Sequence, residues 1–289
     1  MGVIARLPWW TKLITKLILT RFLIPYSVWR RLGLFRHGDM QTPLFALKTF
    51  QSFYQHAVDQ VSFPKDFYAL ELGPGDSVLS GLIAHAYGAK QTWLVDAGEF
   101  SDTSFFACQE TIKLLNAQGK SLPDIKSAET IDEILRLNGV KYLTKGTASL
   151  AEIPDSTIHF MWSHVVLEHI SRAEFPVFLK ELRRIISPNG IAVHSIDFRD
   201  HLNGGLNNLR FPSFIWESRI FREGGFYTNR IRPREMLAMF VSAGFNVQLV
   251  KEKCWEEIPI RYEQLSKEFK LLPAEDFMVA EIEVILRPE

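Results

Sequence analysis

Cysteine is scarce in this chain, and so is any excess of charge. Cys108 and Cys254 fall in different segments with no metal-ligand spacing around either. That argues against a disulfide framework or a thiolate metal centre and fits a reducing compartment. Thirty-three basic residues balance 33 acidic ones, so no global field favours nucleic acid as a partner. Internal repeats and low-complexity tracts are lacking too. What is plentiful is apolar and aromatic matter, 47% and 12% of 289 residues, enough for one large packed α/β domain with appendages.

The amino terminus departs from this neutrality. Arg6, Lys12, Lys16, Arg21, Arg30, Arg31 and Arg36 all precede the first acid, Asp39. On a helical wheel Trp9, Trp10, Leu13, Ile14, Leu17 and Ile18 share one half, opposite Thr11, Lys12, Thr15 and Lys16. Charges at 12, 16 and 21 interrupt any stretch near the ~20 residues of a spanning helix. Two readings stay open: an interfacial helix giving peripheral membrane contact through residues 1–36, and a helix docked on the protein's own core. The expected division is a helical, basic and apolar arm over 1–60, then one domain over 61–289 with an insertion at 197–231. The expected location is cytoplasmic, with membrane association through the arm.

From residue 66 strand-like and helix-like segments alternate, as in a mostly parallel sheet covered on both faces. Strands are expected near 67–72, 91–96, 140–144, 158–163, 191–196, 245–250 and 277–286. Helices fit near 77–87, 102–118, 128–138, 172–186 and 233–243, with Ser187-Pro188-Asn189-Gly190 and Ala243-Gly244 as turns after two of them. Residues 197–231 break the alternation with glycine pairs, aromatics and arginines. A loop this long at a strand's carboxyl end is where such sheets place a substrate or a lid. Residues 251–276 read only as a charged, weakly helical connection.

The most telling stretch is Leu70-Glu-Leu-Gly-Pro-Gly-Asp76, which sets a carboxylate and two glycines where a buried strand turns into a helix. Gly73 and Gly75 let backbone approach a ligand where a Cβ would collide. Thr92-Trp-Leu-Val-Asp96 ends a second strand in a carboxylate 25 residues after Glu71. A carboxylate there can accept two charge-assisted hydrogen bonds from a vicinal diol such as ribose.

With these residues the chain resembles the class I S-adenosylmethionine-dependent methyltransferases, in their small-molecule branch. The resemblance runs over about 66–250 through Glu71-Leu-Gly-Pro-Gly-Asp76, Asp96, Gly146-Thr-Ala-Ser-Leu-Ala-Glu-Ile-Pro-Asp155, Trp162-Ser-His-Val-Val-Leu-Glu-His169 and Leu182-Arg-Arg-Ile-Ile-Ser-Pro-Asn-Gly-Ile191. It implies a Rossmann-like seven-stranded, mostly parallel sheet with helices on both faces, an N-terminal helical arm and an insertion after strand 5. The implied cofactor is S-adenosylmethionine. Glu71, Gly73 and Gly75 would hold its methionine end, Asp96 its ribose, Thr147 and Ala148 would border its adenine, and Ser163 would face the transferring methyl. Ser77 departs from the third glycine of the loop, which counts against a dinucleotide instead. Ile196-Asp-Phe-Arg-Asp-His201, Leu206-Asn-Asn-Leu-Arg-Phe211, Trp216-Glu217 and Gly225-Phe-Tyr-Thr-Asn-Arg230 are similar to methyltransferases of polysaccharide and glycan biosynthesis.

That similarity implies methyl transfer to an oxygen of a sugar or glycan precursor. A sugar hydroxyl benefits from a general base, and His164, His169, His194 and His201 are the candidates. His201, with Asp200 before it, is the expected catalytic pair because it lies in the long loop beside the acceptor. His164 and Glu168-His169 are expected to shape the cofactor pocket and start the next helix. No metal is assigned, although Asp197, Asp200 and His201 offer the oxygen and imidazole ligands that magnesium or manganese takes. Asp197, Asn207, Arg210 and Arg230 are the expected acceptor-binding residues. Arg210 and Arg230, with Arg199, Arg219, Arg222, Arg232 and Arg234, suggest recognition of phosphates on a nucleotide- or lipid-linked sugar. The alternatives are an inactive partner subunit of a membrane-associated glycan assembly and an NAD-dependent oxidoreductase.

Overall fold

The seven strands form one sheet in the order β3-β2-β1-β4-β5-β7-β6. The computed structural model describes residues 8–20, 40–120, 122–123, 125 and 128–289. Its strands are β1 Phe67–Leu72, β2 Ala89–Val95, β3 Val140–Leu143, β4 Ile158–His164, β5 Ile186–Asp197, β6 Phe245–Cys254 and β7 Val279–Pro288. Only β7 runs against the others, pairing antiparallel with β5 and β6. This is the Rossmann-like, mostly parallel sheet expected. β1 lies inside it between β2 and β4, and all but one of its residues are buried, which is why it reads as a continuous apolar run rather than an alternating one. Strand order reverses between β1 and β4, the point where such sheets open a crevice beyond their carboxyl ends.

One face is covered by α2 Pro43–Val58, α3 Leu79–Ala86 and α4 Phe105–Ala117. Phe50 of α2 meets Phe160 and Trp162 of β4 edge to face, with ring centroids 6.0 and 5.2 Å away. Met40, Ala46, Leu47, Phe50, Phe53 and Ala57 belong to the same buried cluster as Ala69, Phe160, Trp162 and Val193. Residues 40–58 are therefore part of the sheet's core, and the boundary expected at 60 falls too late. α5 Ile131–Leu137 closes the β3 edge and opens on a full capping box, with Thr130 and Glu133 each bonding the other's backbone N–H. The opposite face carries α6 Phe175–Ile185, whose Phe175, Phe178, Leu179, Leu182 and Ile185 repeat at helical spacing and are all buried. Each such side chain contributes about 1.5–3 kcal/mol on burial. α9 Pro233–Ser242 adds Met236 and Phe240 to that cluster.

Three expectations change. Ser187-Pro188-Asn189-Gly190 is not a separate turn. The stretch from Ile186 to Ile191 lies within β5 and bulges opposite Ile158 and Phe160, with Gly190 pressed so close that a Cβ would stand 2.6 Å from the Ile158 carbonyl oxygen. The insertion is no open loop. A 3₁₀ turn at Asn207–Arg210 and the short helices α7 Ser213–Trp216 and α8 Arg219–Arg222 fold around Trp216, Phe226 and Tyr227. Residues 251–276 supply Ile260, Leu265 and Phe269, which join Leu206 and Leu209 in a further buried cluster beneath it.

α1 Trp9–Leu19 lies on this insertion. Leu13 is buried with Leu202, Trp216, Phe226 and Tyr227, while Trp9 and Leu17 pack beside it. Lys16 Nζ donates to the carbonyls of Gly225 (3.0 Å) and His201 (3.3 Å), and Lys12 Nζ to Asn203 Oδ1 (2.9 Å). The apolar half of the helix is thus split, with Trp10, Ile14 and Ile18 facing outward at 52%, 48% and 54% exposure. No helix among the described residues is long and apolar enough to cross a membrane. Arg6, Arg21, Arg30, Arg31, Arg36 and Asp39 lie outside the described residues.

Candidate active site

Parallel register brings the carboxyl ends of four strands to one edge, with Leu72 opposite Val95 and Ser163, and Ser163 opposite His194. On the β1 side, Gly73 and Gly75 both take positive φ, +66° and +64°, which glycine adopts without strain. Gly73 is needed by the protein as well as by any ligand, because a Cβ there would lie 2.4 Å from Val166 Cγ2. The Gly75 N–H donates to Asp96 Oδ2 at 2.8 Å, and the Ala97 N–H donates to Oδ1 at 2.7 Å. Asp96, at the end of β2, thus touches the glycine turn directly. Both oxygens lie at the glycine turn, where a carboxylate can accept hydrogen bonds from a ligand hydroxyl.

Glu71 is 2% exposed and accepts a hydrogen bond from Ser80 Oγ. Burial pushes its carboxyl up to about 7, against the pull of hydrogen bonds from Ser80 and Trp162, and the Asp96 charge adds to the rise. A carboxyl held this way ionises readily once a cation arrives beside it. Thr147 and Ala148 lie in the 3₁₀ turn Gly146–Glu152, half-buried and exposed respectively. The Gly146 N–H donates to the Asp96 carbonyl at 2.7 Å, which ties this turn to the same edge. Ser163 departs from expectation. Its hydroxyl is fully buried and shares a 2.7 Å hydrogen bond with Nδ1 of His194, because alternation turns it to the sheet face opposite Trp162. Burial drives His194 down to about 3, so it stays neutral inside the core and is no base for an acceptor.

The insertion side also differs from its expected roles. Asp200 accepts hydrogen bonds from the backbone of Leu202, Asn203 and Asn207 and from the Asn207 side chain. It staples the loop and does not pair with His201. Asn207 is held in turn by Arg210 Nε at 2.9 Å, and the Arg210 guanidinium lies 5.2 Å from the Trp9 ring centroid. Asp197 receives both Nε and Nη2 of Arg199 at 2.8 Å. Arg230, 5% exposed, donates to the carbonyls of Asn208 and Phe211 and to Ser213 Oγ, sandwiched between the rings of Trp216 and Phe269. Arg232 is wholly internal and bonds the carbonyls of Phe198, Asp276 and Val279. Arg219 pairs with Glu223 and Arg234 with Asp276. The expected phosphate cradle is instead the internal frame of the insertion, since a buried guanidinium must find acceptors wherever the fold offers them.

A different cluster occupies this edge. The stretch after β4 opens with Val165 at φ +58°, a strained backbone for a β-branched residue and of the kind that gathers at functional sites. It continues into a 3₁₀ turn, Leu167–His169, rather than into the helix expected there, which begins only at Phe175. The turn is clamped by Asn229, whose N–H donates to the Glu168 carbonyl at 2.7 Å and whose amide donates to the carbonyls of Leu167 and Ile170. Glu168 is 2% exposed and neither carboxylate oxygen has a hydrogen-bond partner of normal geometry. Burial raises it well above the usual carboxylate range, the Asp197 charge adds to this, and the backbone N–H groups of Glu168 and Asp197 oppose it without closing proper bonds. His201 stacks on His169 with ring centroids 4.8 Å apart and 12° between planes. Its Nε2 is buried without a partner, and burial lowers its pKa despite the opposing Asp197 charge. His164 packs on Phe53 and is not part of this group. The Trp162–His169 motif carried the signal for Glu168, whose burial the linear sequence does not reveal.

No protein-family model matches the chain, and no curated protein matches it either. Solved structures do resemble it. The YcgJ protein from Bacillus subtilis is 13% identical over 83% of this chain and 99% of that one, with a TM-score of 0.45. An S-adenosylmethionine-dependent methyltransferase from Mesorhizobium loti is 15% identical over 84% and 95%, with a TM-score of 0.41. A phosphoethanolamine N-methyltransferase from Haemonchus contortus, solved with S-adenosylhomocysteine, is 10% identical over 84% and 53%, with a TM-score of 0.44. At these values the likeness carries no information about the reaction, which has to be read from the residues of the site.

Proposed function

We propose that the protein transfers a methyl group from S-adenosylmethionine to an oxygen of a small-molecule acceptor, with a sugar or glycan precursor as the acceptor class. The observation that carries this reading is the direct contact of the Asp96 carboxylate with the Gly75 N–H at the switch point of the sheet. A nucleoside lying there would meet a carboxylate for its vicinal hydroxyls and an open glycine turn beside them. Glu71, close to ionisation near neutral pH, suits the ammonium of the methionine end. Thr147 and Ala148 complete the cofactor set at the adenine.

When bound, the cofactor supplies an activated methyl on a positive sulfonium. The chain's own part is to align donor and acceptor and to exclude water. The acceptor oxygen forms the new C–O bond as the C–S bond breaks, the bonding pair stays with sulfur, and the hydroxyl proton departs on the acceptor side. The edge at Glu168, His169 and His201 is the acceptor side in this reading. His201 Nε2, kept neutral by burial, has a lone pair with no protein partner and meets the requirement for a base there. The sugar assignment rests on the sequence resemblance over 196–230. The internal pairing of Arg199, Arg210, Arg230 and Arg232 favours the sugar itself over a linked diphosphate as the recognised part.

Calorimetry with S-adenosylmethionine, followed by transfer of labelled methyl to sugar acceptors, tests the proposal. Absence of cofactor binding at millimolar ligand would sink both enzyme and cofactor, and binding without transfer would leave the partner-subunit alternative. Stabilisation by NAD but not by S-adenosylhomocysteine would instead favour an oxidoreductase. Peripheral membrane contact through residues 1–36 is part of the same reading, supported by the outward stripe Trp10, Ile14 and Ile18. Sedimentation with anionic vesicles tests it, and protein left in the supernatant would remove it.

A further inference from the structure

We infer that Glu168, His169 and His201 form a binding site for one first-row divalent cation, open to the acceptor. The coordinating atoms of the three side chains lie within 4.8 Å of one another. Two ligands of one ion at roughly 2.0–2.2 Å stand at most about 4.4 Å apart, so small shifts of these side chains close the set. Proximity alone would not make this a site. The independent observation is Glu168, 2% exposed with neither oxygen bonded. A buried carboxylate without partners is costly, and a bound cation is the partner that removes the cost.

The imidazoles are arranged in the same sense. His169 Nδ1 lies 3.1 Å from the Tyr227 carbonyl oxygen. A carbonyl can only accept, so Nδ1 carries the proton and Nε2 is the nitrogen that would bind a metal, the orienting arrangement usual for a metal-bound histidine. His201 offers a buried Nε2 with no partner. The parallel stack of the two rings favours at least one neutral imidazole, the form that binds metal. Asn229 fixes the turn that carries Glu168 and His169. Charge around the site is mixed, with Asp197 and Asp200 against Arg199 and Lys16 in the field at His201, leaving the Glu168 carboxylate to set the balance. His169 is exposed, His201 half-buried and Glu168 buried, so an ion has a route in and an open side toward solvent. Two imidazoles and one carboxylate with open positions suit manganese, iron, cobalt or zinc better than calcium.

The acceptor half of this inference rests on the proposed methyl transfer; the cation half does not. On the open side the ion would take the acceptor oxygen and lower the pKa of its hydroxyl. The hydroxyl proton would then pass to solvent, so that with the ion in place His201 acts as ligand and its role as base is confined to the metal-free edge.

Titration of the full chain with Co(II) alone, read by its visible absorption and by calorimetry with Mn(II) and Zn(II), tests the site without cofactor or acceptor. One ion per chain is expected. Glu168→Gln and His201→Gln should each weaken binding about 100-fold or more, while His164→Gln, outside the cluster, should bind as wild type. Circular dichroism confirms that each variant is folded, and the wild-type titration decides the matter if one is not. Failure of the wild type to bind at millimolar metal, or wild-type affinity in both Glu168→Gln and His201→Gln, would overturn the inference. Cofactor calorimetry on the same sample separates the two readings. Metal binding without S-adenosylmethionine binding removes the methyl-transfer proposal alone, and the converse removes the cation site alone.

Discussion

Glu71 and Glu168 are the two most deeply buried glutamates of the sheet's working edge, each 2% exposed, and burial raises both above the ordinary carboxylate range. Glu71 has a hydroxyl donor in Ser80 and sits beside a turn whose other carboxylate, Asp96, already holds two backbone N–H groups. Glu168 has no bonded partner, and neither has Nε2 of the stacked His201. The glycine-turn side is therefore largely satisfied by the fold, and a ligand there adds to bonds already made. On the other side the protein keeps unbonded acceptors out of water, which is where a ligand's free energy of binding would be greatest for each contact. Arg199, Arg210, Arg230 and Arg232 show the same division, since they bond within the insertion and its neighbours and leave the acceptor edge to Glu168, His169 and His201.

The comparison breaks most visibly at Arg232. If the insertion is framed from inside, Arg232→Ala leaves three buried carbonyls without donors and should cost about 3–5 kcal/mol in chemical denaturation. A loss under 1 kcal/mol would show that the frame lies elsewhere. Next in size is the pH dependence of Glu71. Below its ordinary value of 4.5 both folded and unfolded chains are protonated there. As pH rises the unfolded chain loses the proton first and the folded one only near 7. The unfolded state thus binds fewer protons and stability falls, by about 3 kcal/mol between pH 4.5 and 7 at about 1.36 kcal/mol per unit. Glu71→Gln should flatten that part of the profile, and parallel profiles for the two proteins would refute it.

Asp96→Ala sharpens the ligand side of the comparison. Loss of charge-assisted bonds to a ribose should weaken S-adenosylmethionine by about 1.5–3 kcal/mol in calorimetry, and unchanged affinity would take Asp96 out of the site. The smallest effect belongs to Glu168→Gln in metal-free protein. Measured near pH 4.5, where the acid is protonated in the folded chain, replacing it by its neutral isostere should change stability by less than about 1 kcal/mol. A loss of 2 kcal/mol or more would mean the carboxylate has a protein partner after all.

Sequence and structure agree best where a signal is local. The first five strands and the helices between them follow apolar runs and turn residues that neighbours in the chain define, so their bounds differ from expectation by a few residues. Agreement ends where two distant segments compete for one group. Ser163 was expected at the methyl because it ends β4, but pleat direction turns it to His194. Arg230 has the chemistry of a substrate ligand, and nothing within ten residues of it reveals that Trp216 and Phe269 will claim it; Asp200 is claimed locally, by the turn at 202–207. The same holds for α1, whose broad apolar half divides only once Leu13 meets Trp216.

By itself the sequence determined the order of elements, the glycine turn with its two carboxylates and the edge of the sheet that carries the chemistry, because each depends on short-range periodicity and backbone preference. The tertiary structure alone decided which polar groups on that edge are already bonded and which are not. Hydrogen-bond satisfaction in the interior depends on segments far apart in sequence, and that is what separates Arg230 and Arg232, which hold the insertion together, from Glu168 and His201, which are left for a ligand.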